Sequence, residues 1–143
     1  MLQNYVADGG FLVLTASANR LRYGNGVCEP NQLRDQASTI GSSFGITFGT
    51  SPLAASLAVV ATPHPILAGV ATLELATNNA LPIAAAAGQT LARAASQPVM
   101  VLVPAAPGEV LVLGDLGLLG TAQAQAPNLT FWQNLAHYAV LRE

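Results

Sequence analysis

Apolar residues in this chain recur in two ways, at helical spacing and in unbroken runs, and each predicts a different kind of element. Leu2, Tyr5 and Val6 share one helical face and are followed by Gly9-Gly10, which predicts a short N-terminal helix with a left-handed stop. Over Asn128 to Leu141 the residues Leu129, Trp132, Leu135, Ala136 and Ala139 return at the same spacing, predicting a terminal amphipathic helix with Phe131 and Trp132 as core anchors. Between them, Asn31 is placed to cap a helix through Leu33, Ala37 and Ile40, with Asp35 near its positive end and the Gly41 to Gly45 region ending it.

The unbroken runs predict strands. Phe11-Leu12-Val13-Leu14 lacks alternation, as expected of a strand covered on both faces in a parallel sheet. Val99 to Val103 and Val110 to Leu113 flank the turn dipeptide Pro107-Gly108 and predict a hairpin. Ile46-Thr47-Phe48, Leu73-Glu74-Leu75 and Thr90 to Ala94 predict brief extended pieces, and Ser56 to Ala61 fits strand or helix. Thr62-Pro63-His64-Pro65 forces a non-helical turn, because each proline restricts the residue before it, and Pro65 to Gly69 fits one helical turn. Residues 15 to 30 read as a long polar loop. Together these describe one α/β layer domain over residues 1–143 with a mixed sheet.

Composition narrows the chemistry. With 52% hydrophobic and 8% charged residues, the chain is excluded from the disordered, collagen-like and coiled-coil classes. Five arginines, no lysine and seven acidic residues give a net charge of −2, so no cationic field exists for nucleic acid. Gly, Pro, Asn, Gln or a charge breaks every apolar run short of the roughly 18 to 20 residues a spanning helix needs, so no membrane insertion is expected. The start Met1-Leu2-Gln3-Asn4-Tyr5-Val6-Ala7-Asp8 lacks the positive and apolar regions of a signal peptide, which favours the cytoplasm. Cys28 is the one cysteine, and the two histidines lie far from it and from each other. No zinc spacing exists, and neither metal nor cofactor is expected.

The order of four motifs resembles the class I glutamine-amidotransferase-like superfamily: Tyr5-Val6-Ala7-Asp8-Gly9-Gly10-Phe11-Leu12-Val13-Leu14, His64 to Val70, Gly108 to Asp115, and Asn128 followed by a helix holding Asn134. The nearest branches are uncharacterised bacterial members, auxiliary domains of gliding-type transporters and trehalose-utilisation-like proteins. The resemblance implies a flavodoxin-like three-layer sandwich with a mostly parallel sheet, here shortened at its N-terminus. A shortened sheet exposes an apolar edge, so a homo-oligomer, most simply a dimer, is expected.

The same resemblance implies a nucleophile on a turn after Phe11–Leu14, and the residue there is Ser17, between Ala16 and Ala18 where glycines would relieve the strain of such an elbow. Gly26-Val27-Cys28-Glu29-Pro30 half-matches the amidotransferase Gly-x-Cys-x-Gly, but Pro30 replaces the second glycine and no His-x-Glu follows. Arg20 and Arg22 are the cations nearest that thiol in sequence and, by the resemblance, lie near the ancestral pocket. His64, held between two prolines, is a candidate ligand or base. Asp115 is the strongest polar candidate, because it follows Val110–Leu113 at the carboxyl end of a strand, where α/β sheets bind ligands. Its structural role would be to accept hydrogen bonds from the backbone of the Gly117–Gly120 loop.

Two functions remain from different classes. In one, the chain is a non-catalytic domain serving as a protein-interaction or small-ligand-binding module, with Ser17, Arg20, Arg22, His64 and Asp115 around the pocket. In the other it is a divergent hydrolase of the trehalose-utilisation-like type, acting on a sugar-like substrate through Asp115 and His64. The second requires those two side chains within about 4 Å of each other.

Overall fold

The computed structural model describes residues 1–18, 21–22, 28–29, 32–120 and 126–142. In chain order its helices and strands are α1 (Leu2–Ala7), β1 (Phe11–Thr15), β2 (Leu21–Arg22), β3 (Cys28–Glu29), α2 (Gln32–Ser42), β4 (Ile46–Phe48), β5 (Leu57–Val60), β6 (Thr72–Glu74), β7 (Ile83–Ala85), β8 (Gln89–Ala94), β9 (Gln97–Ala105), β10 (Gly108–Leu113) and α3 (Ala126–Val140). Single 3-10 turns cover Pro65–Leu67 and Leu116–Leu119.

The predicted hairpin is the centre of the molecule. β9 and β10 pair antiparallel from Gly108↔Ala105 to Leu113↔Met100, and the sheet extends from them in the order β1-β10-β9-β8-β5-β6. Along β10, Leu111 and Leu113 enter one apolar cluster while Val110 and Val112 enter another, as the two-residue repeat of a strand requires. α3, through Phe131, and the turn Pro65–Leu67 cover the first face. Val6 of α1, Ala37 of α2 and the small β4–β7 ribbon cover the second. An unbroken apolar run in β9 and β10 follows from this double cover.

The sheet corrects the expected architecture. It is not the mostly parallel sheet of a flavodoxin-like sandwich: β1 and β10 pair parallel, and the other four pairings are antiparallel. Connection length explains the difference. β8–β9 and β9–β10 are each joined by two residues, which permits only antiparallel neighbours, whereas a parallel pair needs a crossover of about a dozen residues or more. Register shifts in β8 around Ala92 add local bend and twist to the sheet.

One local expectation is met and another changes. β1 is an edge strand with Leu14 fully inside and Phe11, Leu12, Val13 and Thr15 half-buried, and its apolar run packs on both faces, Phe11 and Val13 against the first cluster and Leu12 and Leu14 against the second. On α3 the packed face is turned from the expected stripe: Leu129 is 44% exposed, while Asn128 and Phe131 are completely buried. The helices end as predicted, with Gly9 at φ 103° after α1 and Gly45 at φ 68° after α2.

Candidate functional site

The parallel pairing sets Thr15 beside Leu113, so the chains leaving β1 and β10 run on together. Two residues further, Ser17 and Asp115 are both buried. Backbone bonds hold this exit in shape: Ala16 N–H donates to Leu113 O, Leu116 N–H to Ala16 O, and Ala18 N–H to Asn79 O. Gly114 permits the crossing, because a Cβ there would stand 2.1 Å from the carbonyl oxygen of Leu81.

Asp115 is the centre of the polar group. Its Oδ2 accepts from Ala76 N–H at 2.7 Å, and its Oδ1 accepts from Gly117 N–H at 2.7 Å and from the Asn79 side-chain amide. The Gly117 bond caps the turn Leu116–Leu119, the structural role foreseen for this residue. Burial pushes the carboxyl above its ordinary range, against the pull of the Ala76, Gly117 and Asn79 hydrogen bonds. The Asn79 Oδ1 in turn accepts from the Ser17 hydroxyl. That contact gives Ser17 no general base, since an amide oxygen does not take a proton near neutrality, and activation of a serine nucleophile needs one.

His64 belongs to another cluster. Its Nδ1 accepts from Ile66 N–H at 3.3 Å, capping the turn Pro65–Leu67, and its ring stands edge-on to Tyr138 with centroids 5.2 Å apart. Tyr138 donates to Glu109 Oε2 at 2.7 Å, and Arg142 reaches both Tyr138 Oη and Glu109. Desolvation lowers the His64 pKa, Glu109 opposes the shift and Arg142 adds to it. Beside the ring opens a cleft of about 510 Å³ with Val60, Pro63, Pro65, Leu67 and Val70 on its walls, and among the described residues His64 is its one titratable wall residue.

Glu109 is the second residue of β10 and Asp115 follows its end, so the two clusters stand roughly 20 Å apart at the strand's rise of about 3.3 Å per residue. The structure does not bring His64 and Asp115 together, and it separates Glu109 from Asp115 as a carboxylate pair. Among the described residues no three His, Cys, Asp or Glu gather as metal ligands. Arg20 and the side chains of Arg22 and Cys28 lie outside the described residues.

Sequence reasoning missed Asn79 and the Tyr138–Glu109–Arg142 group, and it marked Asn128 within a motif without giving it a role. Asn128 is buried and bonds the backbone of Glu74 twice, accepting from its N–H at 2.8 Å and donating to its carbonyl at 2.9 Å, which fastens α3 to β6. The one advance signal was the polar pair Asn78-Asn79 between apolar segments.

The chain matches no protein-family model and no curated protein. Its fold is similar to that of solved structures. The beta-galactosidase from Rahnella sp. R3 aligns with TM-score 0.64 and 15% identity over 98% of this chain and 20% of that one. The beta-galactosidase from Bacillus circulans sp. alkalophilus aligns with TM-score 0.63 and 16% identity, again over 98% and 20%. The cytoplasmic protein STM1381 from Salmonella typhimurium LT2 aligns with TM-score 0.64 and 19% identity over 96% of this chain and 58% of that one. The chain therefore spans about a fifth of the beta-galactosidases and under two thirds of the cytoplasmic protein. These likenesses take the place of the expected flavodoxin-like, amidotransferase-like architecture. Among the described residues no helix is long and apolar enough to cross a membrane.

Proposed function

We propose that the chain is a non-catalytic interaction module, and that it works by presenting a surface to a protein partner. One observation carries this reading: Asp115, the buried carboxylate where the parallel pair ends, commits both oxygens to Ala76, Gly117 and Asn79. A carboxylate so engaged is fixed as a structural acceptor, whereas glycoside hydrolysis requires two carboxyl groups about 5 to 10 Å apart flanking the scissile bond. That the chain spans only a fifth of its beta-galactosidase neighbours supports a role as one part of a larger arrangement. A cytoplasmic location fits the description of the STM1381 neighbour.

The neighbours' names favour a second reading, a divergent hydrolase acting on a sugar-like substrate. Incubating the purified chain with chromogenic β-galactosides and β-mannosides decides between the two. No turnover above buffer is expected of a module. Turnover that scales with protein and disappears in the His64→Ala or the Asp115→Ala variant overturns the module reading.

A further inference from the structure

We propose that the open edge of β1 seats a second copy of this chain, the two β1 strands pairing antiparallel about a two-fold axis at Val13. The inference rests on the module reading and names its partner. Bonds from Glu109 N–H to Gly10 O and from Ala16 N–H to Leu113 O show that even-numbered residues of this stretch turn their peptide groups toward β10. Those of Phe11, Val13 and Thr15 therefore point outward, and among the described residues no strand lies beyond them.

Such a row of donors and acceptors specifies a strand as its complement, and natural edges ordinarily block it with lysine, proline, a bulge or an inward charge. The Phe11-Leu12-Val13-Leu14-Thr15 edge carries none of these. The Tyr5 hydroxyl donates to Phe11 O over a long 3.4 Å, and a carbonyl oxygen has a second lone pair for an incoming N–H.

Self-pairing is favoured over another partner because the strip is self-complementary. With Val13 on the axis, Phe11 faces Thr15 and Gly10 faces Ala16, so no charge meets a like charge. The five-residue ribbon is small for a stable interface, which needs about 800 Å² per partner. The α1 end enlarges it: Tyr5, 49% exposed and bonded to Phe11 O, stands three residues after Leu2, 43% exposed, and four after Met1, spacings that set the three on one side of the chain.

Sedimentation equilibrium and amide hydrogen exchange on the intact chain test the pairing together. A dimer is expected, in which the Val13 and Thr15 amides gain protection with concentration while those of Leu12 and Leu14 are protected throughout. Once the dimer predominates, the monomer fraction falls as the square root of concentration, so a hundredfold rise slows the outward amides about tenfold. Val13→Pro removes an outward N–H and no bond to β10, so it is expected to give a folded monomer. A monomer at all concentrations, or a dimer whose Val13 and Thr15 amides exchange freely, overturns the proposal, and the exchange data decide it even where the proline variant fails to fold. The glycoside assay reports separately on the module reading, so failure of one is not mistaken for failure of the other.

Discussion

The hydroxyl of Tyr138 donates to Glu109 Oε2 at 2.7 Å, and through that bond the end of α3 holds the start of β10. The same ring lies between two others, Phe11 at 5.3 Å and His64 at 5.2 Å, both edge-on. A strand, a turn and a helix that are distant in sequence thus meet on one aromatic side chain.

Replacing Tyr138 by phenylalanine keeps both ring contacts and the Arg142–Glu109 ion pair, and removes only the phenol's bonds. The expected loss is about 1 kcal/mol, read by urea unfolding. Tyr138→Ala removes the ring contacts as well and is expected to cost about 3 kcal/mol.

His64 gives stability a pH dependence. Its folded-state pKa lies below the unfolded value, mainly through burial, so the unfolded chain takes up the proton first on acidification. Its contribution is complete above about pH 6.5 and is lost as pH falls from there through the folded value. Wild-type protein is expected to lose more stability than His64→Ala between about pH 7 and about pH 5.5, by denaturant titration at each pH. Equal slopes in the two proteins contradict this assignment.

Asp115→Ala leaves the Ala76 and Gly117 N–H groups and the Asn79 amide without their acceptor in a buried place, an expected loss of about 3 kcal/mol or more. The pH sign is opposite to that of His64. Because burial raises the Asp115 pKa, the folded protein binds that proton first, and the group's contribution is largest below its unfolded value and falls as pH rises through the folded one. The gap between wild type and variant should therefore widen on acidification toward about pH 4.

Asn128 predicts a paired result. Asn128→Ala removes both bonds to Glu74 and is expected to cost about 2 kcal/mol, while Asn128→Asp keeps an acceptor for Glu74 N–H but sets an oxygen against the Glu74 carbonyl. The aspartate is expected to be at least as destabilising as the alanine near neutral pH, and thermal unfolding separates them.

What the sequence disclosed followed from local chemistry. The β9–β10 hairpin was legible because Pro107-Gly108 separates two β-branched runs, and α1, α2 and α3 were legible from spacing and stops. The β8–β9 turn was not, because Ala95 and Ser96 take φ of 45° and 65° without the glycine or asparagine that ordinarily marks such a turn. Sheet order was not legible, because β5 sits between β6 and β8 through contacts that no short motif encodes. Asp115 was found from its place after a strand. Its partners Ala76 and Asn79 were not, since nothing local ties an alanine N–H or an asparagine to a carboxylate 39 or 36 positions away.

Those separations carry a consequence for timing. The Asp115 group draws on segments 39 and 36 residues away, and Ser17 joins it across 62 more, so the full group is complete only when β1 has docked on β10. Contacts that distant reward the chain late, after the entropy of ordering the sheet has been met. Interactions absent from the folding transition state act on the way out: they leave the folding rate nearly unchanged and slow unfolding. The buried carboxylate is thus a latch on the lifetime of the native state, and its loss should appear in stopped-flow traces as faster unfolding with refolding almost unaltered.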